Sequence, residues 1–275
     1  MKTLTLPRQA GINIYDGITK DKRSERVKKY LTKKRKDVDS AYANYINTAP
    51  AVDTLVPITL LKCHKNSLLH AYEKSTASLK TLRDALFEAA IKSKCPFCQI
   101  GVHTTLDHYL PKEKYPEFSV LPQNLIPACD ECNRHKRALI VDEGTAVRLF
   151  IHPYYDVIPN VNFIKARLKV TKNTLTIVFE TYHNPLLSPQ QYAHINNHFK
   201  TLKLAQRFNK SSISELGDMR DTLKRLAKRG PSFLKAKLLK QMNIYSNVGH
   251  NNWRRILFET LANDNLFLTV NHKYL

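Results

Sequence analysis

The chain has 275 residues, 43% of them hydrophobic, enough to bury a proper core and too many for intrinsic disorder. Only 7 residues are glycine, and no Gly-x-x-x-x-Gly-Lys or Gly-x-Gly-x-x-Gly run occurs, which argues against a turn-rich all-β fold and a glycine-rich phosphate loop. With 44 basic and 23 acidic side chains the formal charge is +21, which points to a polyanionic partner, nucleic acid ahead of an anionic membrane surface.

The first segment, Met1 to Ala10, is polar, contains Pro7 and has no signal-peptide apolar core. No apolar run approaches the roughly 20 residues of a membrane span, so a cytoplasmic protein without a membrane partner is expected. From Thr19 to Ile91 the pattern is helical. Val27, Tyr30, Leu31, Val38, Tyr42 and Tyr45 form one apolar stripe, and Leu79, Leu82, Leu86 and Ala90 form a second; Pro50 and Pro57 break the chain between them. Lys20 to Asp37 carries ten basic and three acidic residues. A solvated face is the default for such a run, with phosphate contact as the functional alternative. Its aromatics fall on the apolar stripe and read as core.

The middle region, from Lys94 to Tyr155, is short of periodicity and rich in Cys, His, Pro and Asn, the composition of a site. Beyond it, Ile164, Ala166, Leu168 and Val170 alternate with polar residues, a turn falls near Lys172–Asn173, and Leu175, Ile177 and Phe179 alternate again, which predicts a hairpin. Helical patterns follow over 189–208, 232–243 and 250–262. A further stripe, Ile213, Leu216, Met219, Leu223 and Leu226, is predicted to start after Ser211–Ser212 and stop at Gly230–Pro231. Three regions result: a basic helical 1–93, a site-bearing 94–155, and a hairpin with helices over 156–275.

Cys95-Pro-Phe-Cys98 and Cys129-Asp-Glu-Cys132 are two Cys-x-x-Cys knuckles. In a reducing cytosol this pairing points to metal, and four thiolates close a tetrahedron around a structural Zn²⁺ with no open position. The bland reading, four cysteines packed as small hydrophobes, is the weaker one for two knuckles together. Cys63 lies outside the pattern and reads as a core thiol.

Between and after the knuckles lie Asp107-His108, Pro111, Asn124-Leu125, and Asn133-Arg134-His135-Lys136. The stretch 95–136 resembles the HNH endonucleases of the ββα-metal fold, whose pattern is Cys-x-x-Cys, Asp-His, Pro, Asn-Leu, Cys-x-x-Cys-(His/Asn)-x-x-Lys. The third signature position, often histidine, is Asn133 here, a common variant. The resemblance implies a mostly helical α+β protein: a small ββα-metal module over 94–155 with a structural zinc, flanked by helical segments and one β-hairpin. His108 should sit near the end of the first strand, and the helix should begin around Asp130.

The chemistry of phosphodiester hydrolysis accounts for the same residues. His108 would act as general base. Asp107 and Asn133 would bind one Mg²⁺ or Mn²⁺ through oxygen. Asn124 would hold the His108 ring, by side chain or backbone carbonyl, with Nδ1–H fixed and Nε2 free to accept the proton. Lys136, three residues from Asn133 on a helix, would neutralise the phosphate. DNA is the expected substrate, cut to a 5′ phosphate and a 3′ hydroxyl. His103 is placed on the first strand, and His135 on the helix away from the metal. The stretch from His152 to Asp156 either lines the site or forms a packing turn. The whole chain further resembles the HNH subunit of Septu-type anti-phage systems, which implies an ATPase partner. Two alternatives stand beside this: a non-enzymatic, zinc-stabilised nucleic-acid-binding module, and an HNH nuclease acting on RNA.

Overall fold

A computed structural model describes residues 1–90, 94–172 and 174–274. The expected helix end at Ile91 and the turn residue Asn173 lie outside them. The fold is α+β, mostly helical, with two small antiparallel hairpins. The chain forms two compact units, Lys2–Val157 and Ile158–Leu275 with Met1. The basic helical segment and the cysteine-bearing segment fall within one of these units.

In the first unit, α1 (Gly11–Asp21), α2 (Glu25–Thr48), α3 (Lys62–Glu73) and α4 (Ala77–Ala90) surround a short hairpin of β1 (Thr105–His108) and β2 (Leu125–Ala128), followed by α5 (Asp130–Lys136). The strands pair antiparallel, with Thr105 opposite Ala128 and His108 opposite Leu125. Ser24 caps α2 by accepting from the Val27 amide. The helix buries Leu31, Val38, Tyr42 and Tyr45, while Val27 and Tyr30 stay half-buried at its start. All four predicted residues of the α4 stripe are buried. Gly11 lets α1 approach this core closely, because a Cβ there would lie 2.8 Å from Leu121 Cδ1.

The basic run of α1 and α2 is not uniformly available to a ligand. Lys22 is buried, and its Nζ donates to the carbonyls of His70, Ala71 and Lys74 at 2.9, 3.2 and 2.8 Å. It thereby satisfies the orphan acceptors that end α3. Arg35 makes a bidentate pair with Asp16, and Lys28 and Lys34 pair with Glu25 and Asp37.

In the second unit, β3 (Ile164–Thr171) and β4 (Thr174–Thr181) form the predicted hairpin, in register from Ile164 opposite Thr181 to Thr171 opposite Thr174. Around it lie α6 (Pro189–Thr201), α7 (Leu204–Arg229), α8 (Pro231–Ser246), α9 (Trp253–Asn263) and α10 (Asn265–Thr269). Phe208 anchors the core, with its ring 5.4 Å from Phe179, 5.9 Å from Phe199 and 6.3 Å from Trp253. The predicted helix 189–208 breaks at Lys203, which adopts a left-handed conformation at φ 52°, ψ 39°. Helix α7 then runs straight through Ser211–Ser212, with Ser212 buried rather than capping. Among the described residues no helix is long and apolar enough to cross a membrane.

The capping role of Lys22 is open to a direct check. Lys22→Ala removes the charged donor shared by the carbonyls of His70, Ala71 and Lys74, of which His70 keeps the Lys74 amide, and hydrogen bonds from a charged group contribute about 1.5–3 kcal/mol each to native stability. A urea unfolding series should show a loss of about 2 kcal/mol or more; a change under about 0.5 kcal/mol would remove the capping role.

Candidate active site

The two knuckles meet at one point. Cys95, Cys98, Cys129 and Cys132 are all buried, and their sulfurs lie within 4.8 Å of one another. Cys98 and Cys129 are 3.8 Å apart at sulfur. Four thiolates about 2.3 Å from a tetrahedral Zn²⁺ have sulfur–sulfur edges of about 3.8 Å, so the donor set and its size fit a metal ion. The first knuckle closes by Gln99 N–H donating to the Cys95 carbonyl and Cys95 N–H donating to that of Gly101, both at 2.8 Å. The Ile100 amide points at Cys98 Sγ, 3.4 Å away. Gly101 brings the backbone close to the cluster: a Cβ would sit 3.0 Å from Cys129 Cβ and 3.4 Å from its sulfur. Cys63 lies half-buried on α3, outside the cluster.

Cys129 leads directly into α5, so the cluster anchors the helix against the hairpin. The hairpin carries Asp107 and His108 at the end of β1, and α5 begins at Asp130 as predicted. Asp107, His108 and Asn133 line one cleft of about 660 Å³, shared with Tyr72, Arg83 and Arg137.

His108 is 8% exposed, and its Nε2 lies 2.9 Å from the Ser119 carbonyl. A carbonyl only accepts, so Nε2 carries the hydrogen and Nδ1 is the basic nitrogen. Nδ1 has no hydrogen-bond partner among the described residues. This reverses the expected tautomer, in which Nε2 was the free nitrogen. Burial pushes the imidazole down to about 4, with Lys136 adding to the effect and the Ser119 bond opposing it, so the ring is neutral at pH 7. The Tyr72 ring meets it edge-on at 4.4 Å, and Tyr72 is tied down by donating from its hydroxyl to the Leu106 carbonyl.

Asn124 does not touch the His108 ring, which corrects its expected role. It is fully buried; its Oδ1 accepts from Leu110 N at 2.8 Å and from the Tyr45 hydroxyl at 3.2 Å. Its Nδ2 donates to the carbonyls of Leu110 and Phe118, and its own carbonyl accepts from Tyr109 N. Asn124 thus staples the loop between the strands, and that loop carries Ser119. Ser119 is fixed in turn by its hydroxyl donating to the Leu68 carbonyl of α3 at 2.8 Å.

Asp107 is 4% exposed and its Oδ2 accepts no hydrogen bond, although Lys136 Nζ lies 3.3 Å away. Burial raises this carboxyl to about 6 against the pull of Lys136. Asp107 lines the cleft together with the half-buried Asn133, and a buried carboxyl with one oxygen that accepts no hydrogen bond, paired with a side-chain amide, is a donor set that fits a hard divalent cation.

Lys136 departs from expectation. It is completely buried, donates to the His108 carbonyl at 2.7 Å, and stands over the rings of Tyr109 and Phe150. It holds the strand end from behind and does not face the cleft. The cations lining the cleft are Arg83, Lys112 and Arg137, with Lys112 already paired to Glu73 and Glu113. Arg83 donates to the Tyr72 carbonyl and stacks 4.7 Å over its ring. Arg137 ends α5 at φ 48°, a conformation that non-glycine residues rarely adopt. Tyr72, Arg83, Ser119 and Arg137 carried no motif signal, since their contribution comes from where α3, α4 and the loop are placed.

The other histidines are structural or peripheral. His152 is fully buried, within 3.0 Å of the Tyr45 hydroxyl and packed against the Tyr109 ring at 4.0 Å, so its segment is a packing turn. His103 precedes β1 instead of lying on it and stacks on Phe87 at 5.8 Å. His135 lies half-buried on α5 and does not line the cleft.

Among curated proteins the chain is similar to Protein ea31 of Escherichia phage lambda, 29% identical over 237 residues, covering 80% of this chain and 77% of that protein. No family model matches the chain. No solved structure matches it.

The cysteine cluster predicts one tightly held metal ion per purified chain. Gly101→Ala should lower that content by pressing on Cys129, whereas Cys63→Ser should leave it unchanged. Elemental analysis that finds full occupancy in Gly101→Ala would show that the close approach does not constrain the cluster.

Proposed function

We propose that this chain is a metal-dependent HNH endonuclease that hydrolyses phosphodiester bonds in DNA, with a structural zinc on Cys95, Cys98, Cys129 and Cys132. The observation that carries the reading is that one cleft is lined by Asp107, whose Oδ2 accepts no hydrogen bond and is balanced only by the Lys136 charge, by Asn133, and by a neutral His108 with a free Nδ1. The hairpin-then-helix order, and the cysteine cluster anchoring the helix, support the ββα-metal assignment. The +21 charge supports a polyanionic substrate. The relative is a phage protein whose name states no activity, so pairing with an ATPase in anti-phage defence has no supporting observation, and the proposal is confined to hydrolysis.

In this reading Asp107 and Asn133 hold one Mg²⁺ or Mn²⁺, which when bound supplies charge stabilisation at the scissile phosphate. His108 Nδ1 takes the proton from the attacking water. The Ser119 carbonyl keeps the opposite ring nitrogen protonated, and Tyr72 fixes the ring plane. Arg83 and Arg137 provide the positive charge assigned to Lys136 in the family pattern, and Lys136 keeps the His108 backbone in place. A zinc-stabilised binding module without catalysis requires none of these: neither the orphaned carboxylate oxygen nor the oriented, neutral imidazole.

His108→Ala removes the base without touching either set of metal ligands. Cleavage should fall by about 10²–10⁴-fold while zinc content, folding and DNA binding are retained. Asp107→Ala should lose cleavage through the catalytic ion, and mild chelation of the wild type should do the same while leaving zinc bound. Undiminished cutting by His108→Ala, under conditions where the wild type cuts, contradicts the assignment.

A further inference from the structure

The second compact unit presents a cationic surface that the proposed chemistry does not use. Between Asp221 and Glu259 the chain has no acidic residue. Within that stretch Lys224, Arg225, Lys228, Arg229, Lys235, Lys237 and Lys240 fall on the last two turns of α7 and the first three of α8, at about 3.6 residues per turn. Arg225, Lys228, Arg229, Lys235 and Lys240 are exposed, and Lys224 and Lys237 are half-exposed. None of the seven is in an ion pair among the described residues. The other arginines of the stretch are engaged, Arg254 with Glu215 and Arg255 with Glu259.

The corner joining the helices is open. Gly230 turns at φ +122°, and a Cβ there would meet nothing within 4 Å. Beside it Phe233 is 45% exposed, with the Arg229 guanidinium stacked 4.2 Å over its ring. The basic run at 20–37 is more mixed: Lys22 caps α3, and Arg35, Lys28 and Lys34 are neutralised by carboxylates, whereas Lys20, Arg23, Arg26, Lys29, Lys33 and Lys36 are exposed among the acids of the same run. Cations left unpaired and undiluted by acids keep their full attraction for a polyanion.

We propose that the α7–α8 corner is a docking surface for the sugar–phosphate backbone of duplex DNA, a second contact besides the catalytic cleft; it rests on the polynucleotide substrate of the proposed function. Exposed guanidinium and ammonium groups meet phosphate oxygens, and Phe233 with Arg229 gives a flat face at the turn. A membrane surface is the poorer partner. An interfacial helix turns a broad apolar face toward lipid, whereas α8 buries Leu234 and Leu238 within the unit and exposes Phe233 alone in the cationic span.

The test measures binding of the full chain to a labelled duplex across a salt series, with divalent ions withheld so that nothing is cut. A variant combining Arg225→Glu, Lys228→Glu, Arg229→Glu and Lys235→Glu is compared with Lys29→Glu, Lys33→Glu, Lys36→Glu on α2. The corner variant should bind about a hundred-fold more weakly at low salt, and its log–log salt slope should flatten by about 0.9 per lost contact. The same four positions changed to Gln should flatten the slope with unfolding temperature unchanged, which separates lost contacts from lost fold. An unchanged slope in the corner variants overturns the proposal, as does a slope that depends on the α2 set alone, or wild-type binding to anionic vesicles in place of DNA. Its failure is distinguishable from that of the hydrolysis reading: corner-dependent binding without cleavage would leave this surface standing, and cleavage with a corner-independent slope would leave only the nuclease.

Discussion

The hydrogen bond between His108 Nε2 and the Ser119 carbonyl decides what the cleft can do. An imidazole has one basic nitrogen when neutral, and a carbonyl acceptor settles which one it is. Much of the first unit serves to keep that carbonyl in place. The Ser119 hydroxyl is anchored on α3. The loop before it is stapled by Asn124, which is in turn gripped by Tyr45 of α2. Lys22 of the α1–α2 connection caps the helix that supplies the Ser119 anchor and Tyr72. The N-terminal helices are therefore part of the site's scaffold, which is the physical reason they and the cysteine-bearing segment fall in one compact unit.

The site gives up native stability to hold these groups dry. Asp107, His108 and Lys136 are all nearly inaccessible, and a buried acceptor without a hydrogen bond, such as Asp107 Oδ2, costs about 1–3 kcal/mol. Lys136 offsets part of this by its charge and by its bond to the His108 carbonyl. What remains is a carboxylate oxygen with capacity to spare, next to an imidazole kept neutral by burial. The cysteine cluster supplies the rigidity, because it ties the start of α5 to the chain before β1 and so fixes Asn133 relative to Asp107. Perturbed groups concentrated in a cleft are the usual mark of a functional site.

Much of this was legible in the sequence, for identifiable reasons. Cysteine spacing reports a four-thiol cluster able to hold a metal ion, because the ligand geometry is rigid. The strand end at His108 and the helix start at Asp130 follow from the resemblance of 95–136 to the HNH pattern, and the hairpin at 164–181 follows from local alternation. Contacts made by backbone atoms were not legible: the Ser119 carbonyl carries no residue-specific signal, and neither does the choice of Asn124 to bind a loop in place of a ring. Helical spacing put Lys136 near Asn133 but could not say which side of α5 faces solvent, and that side belongs to the core. Ser211–Ser212 has the composition of a cap, yet packing of Ser212 outweighs that preference and the break moves to Lys203. The basic run at 20–37 counted charges without their partners, which only the folded chain assigns.

Hydrolysis at the Asp107–His108–Asn133 cleft is the central proposal. The most direct measurement is end-group analysis of duplex DNA incubated with the full chain and Mg²⁺ or Mn²⁺. The expected result is cuts that require the added ion and leave a 5′ phosphate and a 3′ hydroxyl. DNA that the chain binds but leaves intact at every concentration of either ion, or cuts unaffected by chelation, would contradict it.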